Sequence, residues 1–346
     1  MDKILFVATI FRCGEKVYPI LPLLAKEYEV DILLHNEMRR EFRWPGPKDP
    51  RPSFYNECNR LGLKIIKDHR FASFDNYDLV FIDDNFCKGS LGLPDISRKA
   101  KAANLKVIGC PHGNHEFSRM SKFINWDVLD YTFVLGSKEQ SRMFGGKFSE
   151  RMIPGGIPDN DCLVDCKRSN SHILVIPGYL PSQNRSKKNK NGYEPFTEKL
   201  FLKSGILELQ QKYGLPVIVK EKTRSKKNLK KSLGCLEKYD GVEVIMDHDD
   251  INGLISSSKV VVGSPSTLCF KSIQVGIPTV LLKGSGMVGN FYDYKGLLDI
   301  DSGLISDELD RQFSNGRDED FISRTLDGGI DFNSSNIYMN KIREIL

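Results

Sequence analysis

Short apolar, β-branched runs recur along this chain, separated by stretches whose apolar residues fall at helical spacing, and polar loops follow most of the runs. Residues 4–9 predict a strand, 17–28 a helix carrying Ile20, Leu23 and Leu24 with Pro19 and Pro22 near its start, and 30–34 a second strand. This is a βαβ opening. Residues 37–52 are charged and proline-rich and read as an excursion. Further strands are expected at 63–66, 79–82, 106–109 and 131–135, with helices at 97–103 and 138–144. Residues 162–171 are polar and lack periodicity, which marks a linker. The same grammar then restarts: strands at 172–176, 217–219 and 242–245, a long helix at 195–213, a short one at 250–256, and a mainly helical tail from 319 with a turn at Gly328-Gly329.

The stretch 260–282 is the most ordered of these patterns. Val260 to Val262 has the run of apolar β-branched residues found in buried parallel strands. Gly263-Ser264-Pro265-Ser266-Thr267 breaks it, a short helix carries Leu268, Ile273 and Val275 to a stop at Gly276, and residues 279–282 resume the apolar run. A small-residue loop that opens a helix after a parallel strand offers N–H groups, hydroxyls and the positive end of the helix dipole to one point, which suits phosphate. The same serines could instead only cap the helix. Two βα-alternating halves predict two doubly wound domains, 1–161 and 172–330, with residues 331–346 as a helix packing back on the first. Ligands in such sheets sit at the carboxyl ends of the strands, so the polar loops are expected to converge on a cleft.

Composition narrows the classes. At 346 residues the chain is long enough for about two domains. No apolar run approaches the ~20 residues of a membrane span, and the N-terminus lacks the pattern of a signal peptide. Eight cysteines without a CxxC pair indicate neither zinc nor a disulfide framework, so a reducing cytoplasm is expected. A net charge of +5 does not argue for nucleic acid, and no aromatics interleave with the basic runs around 185–190 and 222–231.

Several residues could carry chemistry. His112-Gly113 follows a strand and Pro111; an imidazole there can take a proton from a hydroxyl or serve only a loop hydrogen bond. His115 stands three residues on, but no third ligand accompanies the pair and no metal is expected. Lys220, Lys222 and Arg224 follow a strand and would neutralise a diphosphate, or form a solvated helix start. Asp83-Asp84 ends a strand as a base, a ligand pair or a turn cap. Asp247 to Asp250 read mainly as helix caps.

Taken together, these residues resemble the GT-B glycosyltransferase superfamily, and within it CDP-glycerol glycerophosphotransferase-like enzymes and related transferases of surface polysaccharides. The features that match are His112-Gly113, a strand ending at Ser137, the turn Gly156-Ile157-Pro158-Asp159-Asn160-Asp161, and Ser266-Thr267 followed by Gly276-Ile277-Pro278. They span roughly residues 105 to 285. The chain departs at Val219-Lys220-Glu221-Lys222, where the family commonly has Lys-x-His-Pro, at Lys271, where an acid is frequent, and at Pro111, where an aromatic precedes His-Gly.

The resemblance implies two Rossmann-like domains facing a cleft, an acceptor domain at 1–161 and a nucleotide-donor domain at 172–330. It implies metal-independent transfer of a sugar or polyol-phosphate from a nucleotide-diphosphate donor to a hydroxyl. His112 would be the base, with Gly113, His115 and Ser137 on the acceptor side. Lys220, Arg224, Gly263, Ser264, Ser266 and Thr267 would hold the donor. The donor is a substrate, so no cofactor is expected. The implied partners are a nucleotide-sugar or CDP-alcohol donor and a glycan or lipid-linked acceptor, met at the inner face of a membrane; nucleic acid is not expected. Two alternatives stand beside this one: a non-hydrolysing UDP-sugar 2-epimerase, and a DNA-modifying glycosyltransferase or nucleic-acid binder.

Overall fold

The computed structural model describes residues 1–9, 14–35, 38–39, 51–84, 93–111, 124, 126–178, 196–221, 233–246, 250–285, 288–299 and 302–346. Two compact units result. One runs to Asp161 and is completed by Ser323–Leu346; the other is Cys162–Ile322.

The first unit is built on a seven-stranded sheet ordered β3-β2-β1-β4-β5-β6-β7. Its strands are β1 (Lys3–Ala8), β2 (Glu29–Leu34), β3 (Lys64–Ile66), β4 (Leu79–Ile82), β5 (Lys106–Gly109), β6 (Tyr131–Val134) and β7 (Met152–Pro154). Every pairing is parallel. Parallel strands are covered on both faces, which is why these runs are apolar at successive positions. Ile4, Phe6 and Ala8 of β1 point into one core and Leu5 and Val7 into another. The first core is covered by α1 (Leu21–Glu27) and α2 (Arg51–Arg60), the second by α3 (Leu93–Ala102). A short α4 (Ser137–Arg142) follows β6.

The second unit has a six-stranded parallel sheet ordered β10-β9-β8-β11-β12-β13. Its strands are β8 (His172–Ile176), β9 (Val217–Lys220), β10 (Val242–Ile245), β11 (Ser258–Gly263), β12 (Thr279–Lys283) and β13 (Leu297–Asp299). Its helices are α5 (Glu198–Lys203), α6 (Ile206–Tyr213), α7 (Ile251–Ser256), α8 (Thr267–Gln274), α9 (Ile305–Asn315) and α10 (Glu319–Thr325), the last ending in the first unit. The long helix expected over 195–213 is broken into α5 and α6. Gly205 adopts φ +71°, outside the helical region, and the chain turns there.

The C-terminal helix α11 (Ser334–Ile345) belongs to the first unit. Tyr338, Met339 and Ile342 are buried in the core over β1. Tyr338 stacks on Phe133 at 3.7 Å between ring centroids. The Asp161 carboxylate accepts from the N–H groups of Ser334 (3.0 Å) and Ser335 (2.7 Å), so it caps the positive end of this helix from far away in sequence. Gly156, at φ +70°, lets the Asp327 carbonyl and the Ser334 hydroxyl approach where a Cβ would stand 2.1 and 2.4 Å from them. The Gly156–Asp161 turn therefore receives the returning helix.

Candidate functional site

In the second unit the strand order reverses beside β8: the chain moves outward through β9 and β10 on one side and through β11, β12 and β13 on the other. Such a reversal is where the loops part and ligands bind in open α/β sheets. Gly263 pairs with Ile176 in register, and the next residue, Ser264, donates its N–H to the Ile176 carbonyl at 2.8 Å. The chain then runs through Pro265 to Ser266, which is extended (φ −151°, ψ 160°), and α8 begins at Thr267.

Depth separates the two serines. Ser264 is fully buried. Its hydroxyl oxygen accepts from the Gly178 N–H at 2.8 Å and lies 2.7 Å from the Ser285 hydroxyl. Ser264, expected among the donor-binding residues, is thus held inside the unit, and Gly263 is buried with it. Ser266, Thr267 and Leu268 are partly exposed. A capping serine would accept from an N–H in the first turn; Ser266 makes no such bond. Its hydroxyl lies 3.5 Å from the Cys269 sulfur, and that thiol donates to the Ser264 carbonyl at 3.3 Å. Burial pushes the Cys269 thiol up to about 11, so at neutral pH it is a thiol packed under the loop.

Of the two cations expected to hold the donor, Lys220 lies among the described residues. Lys220 ends β9, two ladder steps from β11, roughly 10 Å. Its ammonium donates to the carbonyls of Glu221 (3.1 Å) and Met246 (3.0 Å). Lys271 on α8 is buried and donates to Asn252 on α7 at 2.7 Å. Arg317 donates to the Gln274 carbonyl at 3.2 Å, matching a cation to the negative end of α8. A cavity of about 290 Å³ lies at this C-terminal end of α8, lined by Gly276, Tyr294 and Arg317 among others. It is at the amino end of β12, the edge away from Ser266. Asp250 caps α7, accepting from the Gly253 N–H at 2.7 Å.

The first unit has its own reversal, between β1 and β4. Asp83 follows β4 and is fully buried. Its carboxylate takes the Thr9 N–H (3.0 and 3.1 Å), the Thr9 hydroxyl and the Tyr18 hydroxyl (3.2 Å). It is therefore tied to the root of the loop after β1; the turn that follows Asp84 lies outside the described residues. Burial outweighs these donors and pushes its carboxyl up to about 8, with Asp84 adding in the same direction. Burial also raises the Cys110 thiol at the end of β5. Ser137 is exposed at the start of α4, and its hydroxyl donates to the Arg324 carbonyl at 3.5 Å. His112, Gly113, His115 and Arg224 lie outside the described residues.

Ser285 was not singled out in the sequence, although the signal is there. Lys283-Gly284-Ser285 repeats at the end of β12 the Gly-Ser that ends β11 at Gly263-Ser264. Asp83 was noted, but its burial came only from the tertiary structure.

No family model matches the chain, and no curated protein sequence does. Solved structures do match. A Listeria monocytogenes protein carrying the name UDP-N-acetylglucosamine 2-epimerase superposes with TM-score 0.65 at 11% identity, over 99% of this chain and 96% of its own. Anabaena HepE, solved with UDP and glucose, gives 0.60 at 10% identity, over the whole of both chains. The wall teichoic acid polymerase TagF gives 0.56 at 14% identity, over 99% of this chain and 90% of its own. At these identities the likeness is one of fold: two Rossmann-like α/β units of the GT-B type.

Proposed function

We propose that this chain is a GT-B-type enzyme that transfers a sugar or polyol-phosphate group from a nucleoside-diphosphate donor to a hydroxyl acceptor. One observation carries the reading. At the strand-order reversal of the second unit, a helix N-terminus opens beside a partly exposed Ser266 whose hydroxyl does not cap that helix. Oriented N–H groups and the helix dipole favour an anion there. Matching folds include proteins solved with UDP, which is consistent with a nucleoside diphosphate.

In this reading the acceptor oxygen attacks the transferred group and its proton passes to His112. For a sugar, the C–O bond to the diphosphate breaks and its electron pair leaves on the nucleoside diphosphate; for a polyol-phosphate, the bridging P–O bond within the diphosphate breaks and its electron pair leaves on the nucleoside monophosphate. Ser266, Thr267 and the first N–H groups of α8 stabilise that charge, and Lys220 and Arg224 supply cations. Ser264 and Gly263 support the loop from below. The acceptor is a glycan or a lipid-linked glycan.

The test is a thermal-shift screen of the full chain against UDP, CDP, GDP, ADP and TDP, repeated with His112→Ala. One diphosphate should stabilise both proteins through binding linkage, while the variant loses about 10²- to 10⁴-fold in turnover. A variant with full turnover removes His112 from the mechanism.

A second reading, a non-hydrolysing UDP-sugar 2-epimerase, is favoured by Asp83. That family uses several carboxylates, and Asp83 stands at the carboxyl edge of its sheet, where burial pushes its carboxyl up to about 8. Conversion of UDP-N-acetylglucosamine with no acceptor present would select it.

A further inference from the structure

We infer that Ser264 and Ser285 form a positioning relay that sets the floor of the nucleotide site; this rests on the donor site proposed above. Three strand ends meet at these residues: Gly178 after β8, Ser264 after β11 and Ser285 after β12. Both serines are fully buried. The Ser285 oxygen is 2.6 Å from the Leu282 carbonyl and 2.7 Å from the Ser264 oxygen. A carbonyl can only accept, so the Ser285 proton belongs to Leu282 and the Ser264 proton to Ser285. The Gly178 N–H then donates to Ser264. The chain runs one way, from Gly178 N–H through Ser264 and Ser285 to the Leu282 carbonyl, and leaves no donor in it without an acceptor.

The packing around it is close. A Cβ on Gly178 would stand 2.6 Å from the Ser264 Cβ and 2.7 Å from the Ser285 carbonyl oxygen. A Cβ on Gly263 would stand 2.7 Å from the Ile176 carbonyl oxygen. Loops that part at a strand-order reversal are here joined at their roots. Ser266 and the N-terminus of α8 sit two and three residues beyond this joint, so the relay fixes where their donors point. Ser264 and Ser285 touch no ligand in this scheme. They act through Ser266 and the N–H groups of α8, where a misplacement of a few tenths of an ångström weakens an ionic hydrogen bond.

The experiment is calorimetric titration of the full chain with UDP, CDP, GDP, ADP and TDP, using wild type, Ser264→Ala, Ser285→Ala and Ser285→Thr. Ser285→Ala should weaken the preferred diphosphate by about tenfold, and Ser285→Thr, which keeps the hydroxyl, should restore most of it. In turnover assays the donor KM should rise while the acceptor KM stays constant. If Ser264→Ala does not fold, the Ser285 pair carries the test alone. A Ser285→Ala protein that loses thermal stability but binds the diphosphate like wild type overturns the positioning role. A wild type that binds none of the five removes the donor-site reading, and the relay's role in it falls too.

Discussion

The two strand-order reversals carry the same joint made of different chemistry. In the first unit Val7 pairs with Ile82, Asp83 donates its N–H to the Val7 carbonyl, and the Asp83 carboxylate accepts from Thr9. In the second unit Ile176 pairs with Gly263, Ser264 donates its N–H to the Ile176 carbonyl, and the Ser264 hydroxyl accepts from Gly178. Position for position, Asp83 corresponds to Ser264 and Thr9 to Gly178. One joint is acidic and titrates; the other is neutral and does not. Beside the proposed diphosphate site a hydroxyl relay would add no negative charge, whereas a buried carboxyl in the first unit can carry a proton.

The largest expected effect follows from that difference. Asp83 has its folded-state value raised to about 8 from 3.8, so the folded chain holds a proton that the unfolded chain releases. Its contribution to stability is complete below about pH 4 and is lost as pH rises to about 8, at no more than about 1.4 kcal/mol per pH unit. Asp83→Asn should flatten urea-unfolding stability between pH 5 and pH 8. A slope that survives the substitution would place the titrating group elsewhere.

Gly178→Ala tests the neutral joint and should cost about 1–3 kcal/mol, because its methyl meets the Ser264 Cβ and the Ser285 backbone. The corresponding residue in the first unit, Thr9, already bears a Cβ, so Thr9→Ala should lose little more than one hydrogen bond, about 1 kcal/mol. Equal urea midpoints for the two variants would contradict the packing contrast. The smallest effect belongs to Tyr18→Phe. Removing the 3.2 Å bond to Asp83 should cost about 1 kcal/mol or less and raise the folded-state pKa of Asp83, extending the loss of stability to higher pH, since that hydroxyl favours the charged carboxylate. A loss of stability that ended at lower pH in the variant would mean that Tyr18 stabilises the protonated form.

Much of the fold was readable because its central strands are buried on both faces, which writes them as unbroken apolar runs. The short edge strands β7 and β13 escaped notice, since three residues beside Pro154 or Asp299 make no run. Helix α2 overlaps the expected 37–52 excursion only at Arg51 and Pro52, and no element was expected over its remaining residues, because its buried apolar positions are only Phe54 and Cys58. The Gly-x-Pro-x-x-Asp turn was visible as a motif, yet its contact with α11 joins residues far apart in sequence and has no local signature.

The amino-acid sequence alone determined where the central strands, the loops after them and the α8 N-terminus fall, because burial and helix termination are governed by residues within a few positions of each other. Only the tertiary structure decided that Ser264 is buried while Ser266 is open, that Ser285 completes the joint, and that Asp83 is sealed from water. Those properties depend on which strands become neighbours in a parallel sheet, and the crossovers that choose those neighbours bring together residues 21 to 86 positions apart. Desolvation and hydrogen-bond partnership are set by that arrangement and not by the type of the residue itself.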